Sequence, residues 1–242
     1  MWSICKKELS QFFGNVSGYI AIVLFLVICG IYLFLLPESS ILNNGFASLS
    51  YFFELAPWVL MFLVPAISMR IFSDEFKTGT FEILKTKPLS GTTISLGKYL
   101  AVLMILLISI LPTIVYVYTI KHFSINGLID VGEIIGSYVG LFLLAATFAA
   151  ISLCCGSFTN NAIVAFLMAA FACLVLYFGF NAISQLPFFQ GNADYYIDML
   201  GIDFHYRNIS RGVIDTRDVV YFLSLIVLCQ LISINNLKGR TS

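Results

Sequence analysis

The sequence predicts an all-α integral membrane protein with six transmembrane helices, and three observations carry that prediction. Of its 242 residues 60% are hydrophobic and only 11% charged, and the mean hydropathy is +0.95, well outside the range of soluble globular chains. The apolar residues fall in runs of about 20, the length that crosses a hydrocarbon core of about 30 Å at 1.5 Å per residue. The charges gather between the runs, most densely over 70–98, RIFSDEFKTGTFEILKTKPLSGTTISLGK.

Residues 1–15 predict an amphipathic helix lying at the membrane interface, with Trp2, Cys5, Leu9, Phe12 and Phe13 on one face and Lys7 turned toward the headgroups. The apolar run after Lys6 and Lys7 also invites comparison with a secretory signal. It continues past Cys29 to Leu36 with no small-residue cleavage site behind it, so the segment is expected to stay. The first span is 18–36, ended by Pro37 and Glu38.

The second span, 54–71, holds Pro57 and Pro65, which a membrane helix tolerates when neighbours re-satisfy the freed carbonyls. The third, 98–120, contains Pro112. From Ile134 to Ala193 there is no charge at all, a stretch about threefold too long for one crossing, so it must turn. The cluster GSFTNN at 156–161 supplies the turn and divides it into spans 134–155 and 162–183. Residues 185–217 mix polar and aromatic residues in the manner of short interfacial or re-entrant helices, and 219–237 is the last span.

With both termini inside, Lys6, Lys7, Arg70, Lys77, Lys85, Lys87, Lys98, Lys238 and Arg240 face the cytoplasm, against Lys121, Arg207, Arg211 and Arg217 outside. The bias follows the positive-inside rule and places 73–97 in a cytoplasmic loop. A bacterial cytoplasmic membrane, crossed several times with both ends inside, is the expected location. Formal neutrality gives no basis for a nucleic-acid partner; the lipid bilayer is the expected surrounding.

Catalytic motifs are missing. The nearest approach to a phosphate cradle, GTTISLGKY at 91–99, has one residue too many before its Gly-Lys pair and Tyr99 where a magnesium-binding hydroxyl belongs. His122 and His205 have no partner at ligand spacing and are expected at surface or interfacial positions. The six cysteines lack CxxC spacing and read as small core hydrophobes. Charges inside the spans, which proton- or ion-coupled transporters need, are missing too, apart from Glu54 at the outer end of the second span. The chain is therefore not expected to be an enzyme, and any work it does draws energy from a partner at the charged island.

Within the island Ser73 can cap a turn beginning Asp74-Glu75, Gly79 interrupts, and Thr80 can cap a helix with Glu82 in its first turn. Phe81 and Leu84 form a small apolar face, Lys85 and Lys87 suit the helix end, Pro88 stops it, and Ser90 caps the next helix. A short rigid helix there, or an ordinary solvated loop, both fit these residues.

The pattern E…GTxExLxxxPxS…xGK, carried by Glu75, Gly79, Thr80, Glu82, Leu84, Pro88, Ser90, Gly97 and Lys98, resembles the signature loop of ABC-2 type transporter permeases. The segment HYRNISRGVIDTRDVVYFLSL, with Arg211, Gly212, Asp215 and Asp218, looks like the outer segment before that family's last span. Overall the chain is most similar to the gliding-motility-associated branch. The resemblance implies an ABC-2 type exporter fold with an N-terminal elbow helix and a cytoplasmic coupling helix. It implies ATPase coupling through Glu75, Gly79, Thr80, Phe81, Glu82, Leu84, Lys85, Pro88 and Ser90. No cofactor is implied for this chain: ATP and Mg bind the partner ATPase subunits. A second copy, or a sibling permease with a large extracytoplasmic domain, would complete the membrane unit. A membrane anchor that moves no solute, a secondary transporter and an intramembrane enzyme remain the alternatives.

Overall fold

The computed structural model describes residues 1–36, 49–80, 90–123, 130–188, 191 and 193–239. The described residues form helices and turns only, and six helical stretches are long and apolar enough to cross a membrane. In order they are α1 (Trp2–Phe13), α2 (Val16–Phe34), α3 (Ser50–Thr78), α4 (Gly91–Ile110) continuing through a 3₁₀ turn at Leu111–Thr113 into α5 (Ile114–Phe123), and α6 (Val131–Phe158). Then come α7 (Ala162–Leu174), a π turn at Val175–Gly179, α8 (Phe180–Ser184), the short α9 (Asp194–Asp198) and α10 (Ile202–Ser210), and α11 (Thr216–Gly239). The candidate spans are α2, α3, α4 with α5, α6, α7 with α8, and α11.

The bundle is built around α6. Of its most apolar window 72% is buried, against 22% for α2, so α6 is a core element and α2 a peripheral one. The reason lies in small residues: Gly136, Ser137, Gly140, Ala145, Ala146, Ala149, Ala150, Ser152 and Gly156 let neighbouring backbones approach closely. A Cβ on Gly136 would lie 2.9 Å from Gly212 Cα, and one on Gly140 2.9 Å from Ile209 Cγ2. Helix α6 therefore packs directly against α10 and the turn that follows it. The chain divides between α6 and α7 at 159–161, where Asn161 caps α7 by accepting from Ile163 N at 3.0 Å.

Helix α3 runs unbroken from Ser50 to Thr78, longer than the expected span, and takes in part of the expected loop 73–97. Ser73 consequently caps nothing; it lies inside the helix and donates to Met69 O at 2.5 Å. Within the extension Glu75 is held by Lys7 and Lys98 of the bundle. Pro57 removes the N–H that would pair with Phe53 O, and Tyr206 fills the gap by donating its hydroxyl to that carbonyl at 2.7 Å. A side chain from α10 thus completes the backbone bonding of α3.

Helix α1 lies across the start of α4: a Cβ on Gly97 would meet Ile4 Cβ at 3.0 Å and Met1 O at 3.1 Å. Gly91 in turn lies beside Lys238 near the end of α11. The N-terminal helix, the start of α4 and the C-terminal helix end therefore meet at one end of the bundle, the terminal end. The face α1 buries is Ile4, Cys5 and Glu8, whereas Trp2 is 64% exposed. The expected apolar face was rotated too far toward Trp2, because an acid was not read as a buried residue.

Candidate functional site

The foot of the second and third spans holds a buried ion cluster. Lys98, on α4, is fully enclosed, with its ammonium 3.1 Å from Glu8 Oε1 of α1 and 2.6 Å from Ile71 O of α3, to which it donates. Glu75 Oε2 lies 2.8 Å away but out of line for a hydrogen bond, so that contact is coulombic. The Phe72 ring sits 4.9 Å from the same nitrogen. Lys7 closes the group by donating to Glu75 Oε1 at 2.5 Å. Two lysines thus balance two carboxylates, and three helices share them.

The local sequence explains how these groups meet. Gly97 removes the side chain that would hold α1 off α4, and one turn further along α1 Glu8 arrives over Lys98, the residue after the glycine. Gly79 ends α3 in a left-handed conformation at φ 71°, which glycine adopts without penalty. Thr78 and Thr80 share a 3.0 Å hydroxyl contact across that end. Ser90 starts α4 by accepting from Thr93 N at 3.2 Å. Burial lowers the affinity of the Lys7 ammonium for its proton, but the bond to Glu75 and the charges of Glu75 and Glu8 outweigh it, so its pKa lies above the ordinary lysine value.

The sequence-derived coupling residues divide across this geometry. Glu75 is buried within the cluster, 7% exposed, while Gly79, Thr80 and Ser90 line the exposed ends of α3 and α4. Phe81, Glu82, Leu84, Lys85 and Pro88 lie outside the described residues. Glu8 and Lys98 were not read as partners, and Lys98 was counted as a cytoplasmic surface charge. Lys98 sits between Leu96-Gly97 and Tyr99-Leu100, the one signal that could have flagged its burial, whereas Glu8 follows Lys6 and Lys7 and carries none.

Comparison with known proteins bears on the same segment. A family model described as ABC-2 family transporter protein matches residues 35–197, more than half of the chain. The chain belongs to the ABC-2 family. A search of the curated proteins finds no match. In this ABC-2 chain the match takes in the whole of α3, α4, α5, α6 and α7, and with them Glu75, Gly97 and Lys98.

The opposite end of this ABC-2 transporter chain is arranged differently. Gly212 takes φ 86°, and a Cβ there would meet Glu133 Cα at 2.9 Å, so glycine is required on both grounds. Asp215 accepts from Arg217 N at 3.0 Å and steadies the start of α11. Asp218 is buried and lies 2.6 Å from His205 Nδ1. His205 Nε2 is 2.9 Å from Met199 O; a carbonyl only accepts, so Nε2 donates. Tyr221 stacks on the same imidazole, with ring centres 3.9 Å apart. His205 is thus a buried clamp joining α10, the turn before it and α11, where an unpartnered surface or interfacial histidine is expected from the sequence, because its partner stands 13 positions away.

Arg211 is exposed and lines a cavity of about 490 Å³ with Glu54, Trp58, Glu133, Tyr177, Asp203, Tyr206 and Arg207. Arg207 pairs with Asp203 at 2.8 Å and approaches Asp198 at 3.8 Å. Burial raises the Asp203 pKa above the usual carboxylate range, with the Arg207 charge pulling the other way. Among the described residues no group of histidine, cysteine and acidic side chains could hold a metal ion.

Proposed function

We propose that the chain is the membrane-spanning subunit of an ATP-driven exporter or force-transmitting complex, in which a separate ATPase supplies the energy. The observation that carries this reading is the Lys98 cluster, which binds α1, α3 and α4 together at the two ends of the segment between Gly79 and Ser90. A push delivered to that segment reaches two spans and the N-terminal helix as one body. Isolated buried charges are costly unless paired, and the matched set here supports a joint that resists parting.

In this reading the terminal end faces the cytoplasm, in keeping with the bias of basic residues toward it, and the membrane is the bacterial inner membrane. The ATPase subunits, with their ATP and Mg, dock beneath 79–90. A second copy or a sibling permease completes the unit. The gliding-motility assignment rests on overall sequence resemblance.

The test is purification of the intact complex in mild detergent. A stoichiometric nucleotide-binding protein should copurify, and Glu82→Lys should release it. A folded, monodisperse chain that carries no such protein, or a Glu82→Lys complex with unchanged composition and ATPase activity, overturns the reading.

A further inference from the structure

We propose that the cavity at the end opposite the termini binds a zwitterionic amphiphile, a phosphate ester carrying a primary ammonium, with its apolar tail leaving along α3 and the fifth span. This inference rests on the cavity itself and holds whether or not an ATPase drives the chain.

The cavity is lined by charges of both signs. Helix α10 contributes Arg207 and the residue that ends it, Arg211, while α3 and α6 contribute Glu54 and Glu133. Arg207 is engaged by Asp203. Among the described residues Arg211, Glu54 and Glu133 make no ion pair. An unspent guanidinium sharing one cavity with unspent carboxylates is suited to a ligand that carries both signs. Guanidinium recognises a phosphate in a planar, two-pronged contact, and a carboxylate receives an ammonium.

The aromatic wall places the ammonium. Trp58 follows Glu54 by one helical turn, is 47% exposed, and packs on Phe178 with ring centres 4.3 Å apart. An ammonium held by Glu54 would rest near the indole face, a cation–π position that adds to the ion pair. The wide π turn at Val175–Gly179 delivers Tyr177 and Phe178 to this wall, a distortion common at functional sites.

Position argues for an amphiphile over a purely soluble ligand. Glu54 and Trp58 occupy the first turns of α3 after Ser50, the depth at which headgroups and interfacial aromatics meet. Below the cavity the surface turns apolar, with Phe62 51%, Leu167 59% and Phe171 69% exposed. A headgroup in the cavity would therefore lie above an apolar track open to the bilayer.

Trp2 and Trp58 are the two tryptophans, so Trp2→Phe leaves Trp58 as sole reporter. The full-length Trp2→Phe protein, in a non-ionic maltoside, is titrated with dihexanoyl phosphatidylethanolamine, dihexanoyl phosphatidylglycerol and free phosphoethanolamine while Trp58 emission is followed. Saturable binding of the phosphatidylethanolamine is expected, at least about tenfold tighter than the phosphatidylglycerol, and weakened at least about tenfold by Arg211→Ala and separately by Glu54→Gln. Both variants are surface changes, and unchanged thermal unfolding separates a lost site from a lost fold. Free phosphoethanolamine binding more weakly assigns the site to a lipid; binding as tightly as the lipid overturns the tail contact. Equal binding of the two lipids, no binding, or binding indifferent to both variants overturns the proposal.

Discussion

The two ends of the bundle handle charge in opposite ways. At the terminal end Lys98, Glu8, Glu75 and Lys7 satisfy one another in a buried cluster. At the far end Arg211, Glu54 and Glu133 surround an open cavity without pairing among the described residues. A charge enclosed with its counter-charge fixes helices, because separating the pair strands one partner in a medium of low dielectric. A charge left at the rim of a cavity fixes nothing and remains available to a ligand. The difference separates an end whose charges join helices from an end whose charges stay open.

The sharpest way to break this contrast is Lys98→Met. It removes the fully buried cation and leaves Glu8 and Glu75 enclosed with only half-exposed Lys7 beside them. Loss of one partner from a buried ion group costs about 3–5 kcal/mol, so thermal unfolding in detergent should fall by many degrees. A shift no larger than that of a rim variant such as Arg211→Ala would show that the cluster is not a fastener.

The far end has its own internal bond, from Tyr206 to the Phe53 carbonyl freed by Pro57. Tyr206→Phe leaves that carbonyl buried and unpaired, at a cost of about 1–3 kcal/mol. The same change made on a Pro57→Ala background should cost clearly less, since alanine restores the N–H that pairs with Phe53 O. Equal costs on both backgrounds, read by thermal unfolding, would show that the hydroxyl is not replacing the missing backbone donor.

The smallest expected effect is at Lys7, whose folded pKa is raised. Its contribution is fully present below the ordinary lysine value of about 10.4 and is lost as pH rises through the higher folded value. Trp2 emission should therefore report loosening of α1 only above about pH 10.4, and Lys7→Met should abolish that transition.

The six spans were legible because hydropathy is a local, additive signal, and the break at 159–161 was legible because glycine, serine, threonine and asparagine cluster there. The ion cluster was not. Glu8 and Lys98 are 90 positions apart, and a reading that assigns every charge to water has no means of pairing them. Helix α3 likewise runs on past residue 71 to Thr78, and its Glu75 is buried within the protein. His205 was misread for the same reason, since Asp218 lies on the next helix. The glycines at 132, 136 and 140 were a legible stripe of small residues that went unread, and two of them seat α6 against α10 and its following turn.

The π turn at Val175–Gly179 carries a further consequence. It accommodates one more residue than an α-helical turn would, and each residue of an α-helix advances the chain by about 100°. Everything from Phe180 onward is thus rotated relative to α7 by that single insertion, and Tyr177 and Phe178 owe their direction to it. A shortening of this helix by one residue would leave its length and hydropathy almost unchanged while turning its lower half away from the cavity wall. The fifth span is therefore sensitive to phase, not merely to length.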